Sequence, residues 1–346
     1  MRPATHGSET RLESLVADHG GSLEVLDNNR FLCSIDQFEA WADTDQRRFR
    51  HESFYRFMRR ETGYLMDEGE PMGGEWNYDD RNQQAPPAEY APPDPPRFEP
   101  DALTRAVEDW VTDTFEGSYH EPPYGTEWAD PEPFRWPVTR SQSRTALESF
   151  ITDRLPTFGP YQDAMLAEEF AMNHSLLSPA LNLGLLHPRD VIERALDAFE
   201  AGDAPLPSVE GFLRQVLGWR EFVRHVYRRR MPELASANAL EADRDLPELY
   251  WHGETDMACL ADVIEGVRAR GYSRPHRAAD DSLELRAPLR CRAGPARPVV
   301  PGSLCRCVRL GDHPKCRRDG GLRLRRALDE TVRGFGELHR PDERLL

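Results

Sequence analysis

The chain has 346 residues, 60 acidic against 44 basic side chains, and a formal net charge of −16 at neutral pH. That length can bury a sizeable core in up to two domains. No apolar run approaches the ~18 residues of a membrane span and no leader pattern is visible, so a soluble cytoplasmic chain without membrane contact is expected.

The charge is uneven. Residues 274–346 carry 17 Lys and Arg against 10 Asp and Glu, so the rest of the chain is more acidic than the total suggests. After Tyr272 the one remaining aromatic is Phe335, and four of the six cysteines lie in this last stretch. The chain holds a single lysine, Lys315. An acidic, lysine-poor surface suits a protein working in high salt, and a GC-rich genome gives the same preference for Arg.

Glu9–Asp18, with Leu12, Leu15 and Val16 on one face, predicts a helix leading through Gly20 and Gly21 to a short strand at Leu23–Leu26. A lone half-unit of this kind cannot cover its own apolar face, so the first 30 residues are expected to be poorly supported. Phe38–Trp41 and Glu52–Arg60 read as short helices. Residues 83–100 are a proline-rich, extended connector. Asp101–Phe115 reads as a helix capped by Asp101, with Leu103, Val107 and Trp110 facing inward. Residues 118–140 read as a loop.

From Ser141 the pattern is helical: Ala146–Leu155, Pro160–Glu169, Pro179–Leu186 and Pro188–Glu200, the last with proline in its first turn. Ser208 is expected to cap the next helix, with Glu210 in its first turn. Its apolar set Val209, Phe212, Leu213, Val216, Leu217, Phe222, Val223 and Val226 keeps helical spacing. Leu260–Arg270 is the final helix. Cys33 and Cys259 read as buried thiols.

Two stretches carry chemistry. His174-Ser175-Leu176-Leu177-Ser178-Pro179 puts hydroxyls and free N–H groups where a helix begins, an arrangement that holds anions. Gln215 to Glu221 puts Trp219, Arg220 and Glu221 in succession on a largely apolar helix, where they are costly to bury unpaired. Together they suit a phosphate-bearing aromatic cofactor held among helices. Separately, Ser-Pro is also a plain cap, and Trp-Arg-Glu is also an ordinary amphipathic face.

HSLLSPALNLGLL resembles the flavin-diphosphate segment of the DNA photolyase and cryptochrome family, and FLRQVLGWREFVRHVY resembles that family's flavin- and lesion-lining helix. WHGETDMACL is similar to the Trp–Gly–Thr segment that follows in the same family, and FGPYQDAM and FYRFMRRETGYLMDEGEPMGGEWNYDDRN resemble its iron–sulfur branch, the prokaryotic (6-4) photolyase-like proteins. The likeness runs from about residue 20 to Ser273. It implies a mainly α fold: residues 1–35 a remnant of an N-terminal α/β antenna domain, 36–140 an inter-domain connector, 141–273 the first part of a helical FAD-binding domain, and 274–346 a non-native tail.

By the same resemblance, His174, Ser175, Leu176, Leu177 and Ser178 would contact the phosphates of FAD, the family having a threonine-like residue where His174 stands. Asn182 and Gln215 would line the flavin pocket. Trp219, Arg220 and Glu221 would lie near the flavin and the lesion, Trp219 and Glu221 in a catalytic role. Arg224, Arg228, Arg229 and Arg230 are candidate contacts to UV-damaged DNA; a solvated helix end favoured by the helix dipole accounts for them equally. A monomer is expected.

Past Ser273 the likeness stops in this reading frame. Shifted by one base, with suitable synonymous codons, PHRAADDSLELRA reads HIERLMILSNFA, and two later segments likewise turn into stretches resembling the family's, in their expected order. A frameshift near Arg274 and Pro275 would account for this. The family's lesion-side histidine pair and four cluster cysteines would then be missing, and the 4Fe-4S cluster and antenna chromophore with them. Cys305, Cys307, His313 and Cys316 lack the usual knuckle spacing of a zinc site, so no metal is expected. The function implied is a fragment of a light- and flavin-dependent DNA repair enzyme, inactive as this chain and partly molten because its helical domain is incomplete. A non-catalytic helical DNA- or partner-binding protein, or a light sensor without repair, are the alternatives.

Overall fold

The computed structural model describes residues 5–44, 50–115, 134–166, 169–236, 249 and 253–272. Residues 118–133, Trp251 and His252 of the WHGETDMACL segment, and the tail from Ser273 with Cys305, Cys307, His313 and Cys316 lie outside the described residues. The chain divides into two compact units, Met1–Phe98 with Arg135–Leu234, and Glu99–Phe134 with Ala235–Leu346.

The first unit is built from helices α1 (His6–Asp18), α2 (Ile35–Thr44), α3 (His51–Thr62), α5 (Arg140–Ser149), α6 (Leu155–Tyr161), α7 (Ser178–Leu183), α8 (Pro188–Glu200), α9 (Leu206–Leu213) and α10 (Glu221–Arg230). One antiparallel hairpin pairs β1 (Met66–Asp67) with β2 (Glu70–Pro71). The second unit contributes α4 (Ala102–Phe115) and α11 (Ala258–Arg270). The chain is therefore mainly helical.

One apolar core runs through the first unit. Phe38, Trp41, Phe54 and Tyr55 pack on Phe150, Phe158, Phe212, Leu213 and Leu217, with Val191, Ile192 and Ala195 of α8 closing one side. Phe150 and Phe212 meet with ring centroids 4.7 Å apart, and Phe38 and Phe54 at 5.4 Å. Aromatic pairs at this spacing add to the stabilisation from area buried. Residues 91–100, before α4, form no helix or strand, in keeping with their prolines.

Several elements match their sequence signals. α8 spans Pro188–Glu200, with His187 as N-cap through its Nδ1 and Pro188 in the first turn. The helix expected at Ala146–Leu155 begins earlier, as α5 on a capping box between Thr139 and Gln142, and passes through a π turn at Phe150–Arg154 before α6. Asp101 caps α4, its carboxylate accepting the Thr104 N–H at 2.8 Å. α3 ends where Gly63 turns left-handed (φ 74°) and returns its N–H to the Arg59 carbonyl.

Others differ, each for an identifiable reason. Leu23–Leu26 forms no strand: a strand needs a ladder partner, and the paired strands among the described residues are β1 and β2. The expected helix Pro160–Glu169 stops at Tyr161, because the Gln162 carbonyl accepts His174 Nε2 at 2.9 Å instead of continuing the ladder. Asn173 pins the returning loop to Thr157 at 2.6 Å.

Ser208 does not cap. α9 begins earlier, at Leu206 with Pro207 pre-set for the first turn, which leaves the buried Ser208 hydroxyl to accept the Gly159 N–H at 2.9 Å. Leu103, Val107 and Trp110 of α4 do not face inward; they are 73 %, 48 % and 61 % exposed. Cys259 is exposed in the first turn of α11, where burial begins only at Leu260; Cys33 is buried as expected.

The N-terminal stretch is held by charge rather than apolar contact. No residue of α1 is buried. Arg228 of α10 grips Glu9 with two hydrogen bonds of 2.8 and 2.9 Å, and the His6 N–H reaches the Tyr227 hydroxyl at 3.2 Å. α1 thus has a support that apolar patterning did not foresee.

Candidate functional site

α9 and α10 form one continuous rod joined by a π-helical segment, Arg214–Arg220. The residues Val209, Leu213, Leu217, Glu221 and His225 are all buried along it. A line at every fourth residue drifts about 40° per step around an α-helix, and the wider π turn absorbs that drift. The apolar line is consequently continued by a carboxylate and an imidazole, while Phe222, Val223 and Val226 are only half-buried.

Glu221 is fully buried and accepts the N–H groups of Leu32 and Cys33 at 3.0 and 3.1 Å. Burial pushes its carboxyl pKa up to about 7 against the lowering effect of those two donors and of Arg220. One turn on, His225 Nε2 donates to the Cys33 carbonyl at 3.1 Å, and burial lowers its pKa to about 4. Arg220 donates to the Arg30 carbonyl at 2.7 Å and lies 4.1 Å over the Phe31 ring. His187 Nε2 donates to the Asn29 carbonyl at 2.8 Å. Side chains of Arg220, of α10 and of the α8 N-cap therefore bond the backbone of residues 29, 30, 32 and 33.

Trp219 lies flat against His51 of α3, ring centroids 3.6 Å apart and planes 16° from parallel. Gly218 makes the approach possible, since a Cβ there would stand 2.6 Å from His51 Nε2. Gln215 bonds back to the Gly211 carbonyl at 3.3 Å. At the base of the rod Arg214 is clamped by Asp79 and by Glu210, and Glu210 also accepts the Tyr78 N–H at 3.2 Å. Burial opposes the Arg214 charge, but these two carboxylates hold its pKa above the ordinary guanidinium value; burial in turn raises Glu210 and, well above its ordinary value, Tyr55. Glu210 is thus a buried carboxyl of the core rather than a helix-dipole partner.

The loop from Met172 to Leu177 turns twice through left-handed backbone, at Met172 and Leu176 (φ 45° and 58°). His174, Ser175, Leu176 and Ser178 are half-buried, and Leu177 is buried. The Ser175 hydroxyl accepts the Leu177 N–H at 3.4 Å. α7 has six residues, so its dipole is small and any anion here depends on side-chain donors. Asn182 is exposed, and its backbone carbonyl is taken by Arg30 at 2.8 Å. Arg220 reaches the Leu181 carbonyl at 3.5 Å, which brings the rod and the serine loop's helix into one neighbourhood.

The basic end of α10 is divided. Arg228 is bound to Glu9, and Arg229 to Glu39 and Asp43 of α2. Arg224 stands 5.4 Å over Phe31 and has a lowered pKa, from burial and then from Arg228. Arg230 is half-buried, also with a lowered pKa, from burial and then Arg229. Sequence reasoning missed Arg30, His51 and Asp79. A lone Arg, His or Asp on a polar stretch gives no local signal of the partner it meets across the fold.

Comparison with known proteins bears on this arrangement. A family model described as deoxyribodipyrimidine photo-lyase-related protein matches residues 1–121. A (6-4) photolyase of Agrobacterium fabrum is 39% identical over 264 residues, which is 76% of this chain and 50% of that protein. The chain belongs to the photolyase-related family. An uncharacterized protein of Acanthamoeba polyphaga mimivirus is 32% identical over 114 residues, 33% of this chain and 87% of that protein. The chain thus spans about half the length of the photolyase it matches. No helix among the described residues is long and apolar enough to cross a membrane, and no group of three metal-ligating side chains occurs among them.

The donor set suits the cofactor such proteins imply. Two half-buried hydroxyls (Ser175, Ser178) stand in a serine loop without a carboxylate, which is compatible with a diphosphate, while His174 Nε2 and the Arg220 guanidinium already bond backbone carbonyls of Gln162, Arg30 and Leu181.

Proposed function

We propose that the chain carries the flavin grip and lesion-side helix of a light-dependent, FAD-dependent DNA repair protein of (6-4) photolyase type, whose partner is UV-damaged DNA. The observation that carries this reading is the junction at Arg220, where the Trp219–Glu221 run is tied to the α7 end of the serine loop. FAD, when bound, supplies the light-driven electron. His174, Ser175, Leu176, Leu177 and Ser178 would hold its phosphates, Asn182 and Gln215 would flank it, and Trp219 would offer an aromatic face to a flipped-out base. Glu221 and Arg220 fix the Arg30–Cys33 segment against that wall.

The chain acts as a cytoplasmic monomer in this reading. Residues 1–35, 36–140 and 141–273 correspond to antenna-domain remnant, connector and flavin domain, and residues 274–346 run out of frame. The family's lesion-side histidines and cluster cysteines then have no counterpart, and the chain as it stands is inactive in repair.

The test is spectroscopic first. Purified chain is expected to retain flavin absorbance yet leave a (6-4) photoproduct in duplex DNA unrepaired under blue light. A colourless chain that still binds duplex would favour a non-catalytic binding protein, and repair would overturn the inactivity. Genomic sequence across codon 274 tests the reading frame directly.

A further inference from the structure

We infer that Tyr90 of the proline-rich connector is a positioning residue for the serine loop, so that docking of the connector and loading of FAD are coupled. The inference deepens the reading above and rests on it.

The serine loop needs support from outside itself. Its backbone is left-handed at Met172 and Leu176, neither of which is a glycine. Such a conformation persists in residues with side chains only where surrounding contacts over-determine it. α7 has just six residues, and the Ser175 hydroxyl is turned back within the loop to the Leu177 N–H. The shape offered to a diphosphate is therefore set by what the loop rests on.

Between the two left-handed positions lies Asn173, fully buried. Both ends of its amide are taken. Oδ1 accepts the Tyr90 hydroxyl at 2.9 Å, and Nδ2 donates to Thr157 Oγ1 of α6 at 2.6 Å. The residues that follow are His174 and Ser175, the first of the set assigned above to the phosphates. Tyr90 reaches this point from 83 residues earlier in the chain.

Tyr90 is itself placed by a strap of residues 82–90. The Asn82 amide donates to the Pro207 carbonyl of α9 at 2.9 Å, and the Gln84 N–H to the Pro160 carbonyl of α6 at 3.0 Å. The Tyr90 N–H then closes a turn on the Pro87 carbonyl at 3.0 Å. Its ring rests on Tyr161, centroids 4.5 Å apart. The ring contact fixes the direction of the side chain, and the hydroxyl engages Asn173.

A buried amide that loses one partner destabilises the arrangement that buries it. Without the Tyr90 hydroxyl, Asn173 Oδ1 is unsatisfied in the ordered loop, so the population of binding-ready loop falls and apparent affinity falls with it. Linkage makes the effect reciprocal: bound FAD tightens the strap by the factor by which the strap favours FAD.

The test is titration of the flavin-free full chain with FAD, followed by amide hydrogen exchange. Tyr90→Phe keeps the ring on Tyr161 and removes only the hydroxyl, and it is expected to weaken FAD binding about fivefold. Thr157→Val, at an exposed position, breaks the other bond of Asn173 and is expected to act in the same direction, which keeps the test open if Tyr90→Phe misfolds. Tyr64→Phe loses a hydroxyl contact to Glu193 and is the control, with unchanged affinity expected. Saturating FAD is expected to slow exchange at Gln84 and Tyr90 in the parent and to slow it less in Tyr90→Phe, a response that a purely structural hydroxyl would not give. If Tyr90→Phe and Thr157→Val both bind FAD as the parent does, or exchange at residues 84–90 ignores FAD, the inference fails while the cofactor reading stands. A parent chain that binds no FAD removes both.

Discussion

The carboxylate of Glu221 closes on the backbone of Cys33, 188 residues earlier in the chain, and shares its second oxygen with the neighbouring Leu32 N–H. His225 completes the clasp from one turn further along by donating to the Cys33 carbonyl. The residue that sequence resemblance places beside the lesion is thus, structurally, the anchor of the N-terminal segment.

This clasp has a pH signature. Glu221 has its pKa raised to about 7, so its contribution is full below the unfolded value of 4.5 and is lost as pH rises through 7, an effect of about 3 kcal/mol. His225 has its pKa lowered to about 4, so its contribution is present above 6.5 and lost as pH falls through 4. The two slopes oppose each other between pH 4.5 and 6.5. His225→Gln should uncover the Glu221 slope, and urea midpoints should then fall steadily from pH 4.5 to 7; a flat profile in that variant would contradict the assignment.

Glu221→Gln faces an amide donor toward one of two N–H groups, leaving a buried donor unsatisfied. We expect a loss of about 1–3 kcal/mol at neutral pH. Faster hydrogen exchange at Leu32 and Cys33, with α8 unchanged, is the local readout.

Arg228→Ala removes the grip on a helix that buries no residue. Trypsin should cut within residues 11–30 at a rate well above that of the parent chain, while the thermal midpoint shifts little, because a partly exposed pair contributes only about 1 kcal/mol.

Gly218→Ala would place a methyl 2.6 Å from His51 Nε2 and 3.2 Å from the Tyr55 ring. His51 must move off Trp219, with a cost of about 1–3 kcal/mol. A change in tryptophan emission is expected, and Gly266→Ala, 3.5 Å from its nearest neighbour, is the matched control.

Gly159→Ala should be the most damaging of these. The new Cβ would meet Asn82 Oδ1 at 2.6 Å, Ser208 Oγ at 2.8 Å and the Ser208 Cα at 3.0 Å, so backbone must shift between α6 and α9. Scanning calorimetry should show a loss of about 3 kcal/mol, with an unaltered midpoint counting against the packing described.

Much of the secondary structure was legible in advance because its causes are local. The Asp101 cap, Pro188 in a first turn and the prolines of residues 83–100 each act on their own or adjacent backbone. The helix at Pro160–Glu169 failed because His174, a dozen residues on, competes for the Gln162 carbonyl. The π turn at Arg214–Arg220 was invisible because apolar spacing alone fits an unbroken α-helix equally well.

The candidate site divides the same way. Sequence by itself determined which residue types are available: hydroxyls at Ser175 and Ser178, and an aromatic, a cation and an anion in succession at Trp219, Arg220 and Glu221. Tertiary structure alone decided their partners. It set Trp219 on His51, matched Arg228 and Arg229 to acids of α1 and α2, and turned Glu221 inward onto residues 32 and 33. The reason is physical: a charged or polar side chain carries its chemistry in its own atoms, but the free energy of burying it depends on which distant donors and acceptors the fold brings within 3 Å.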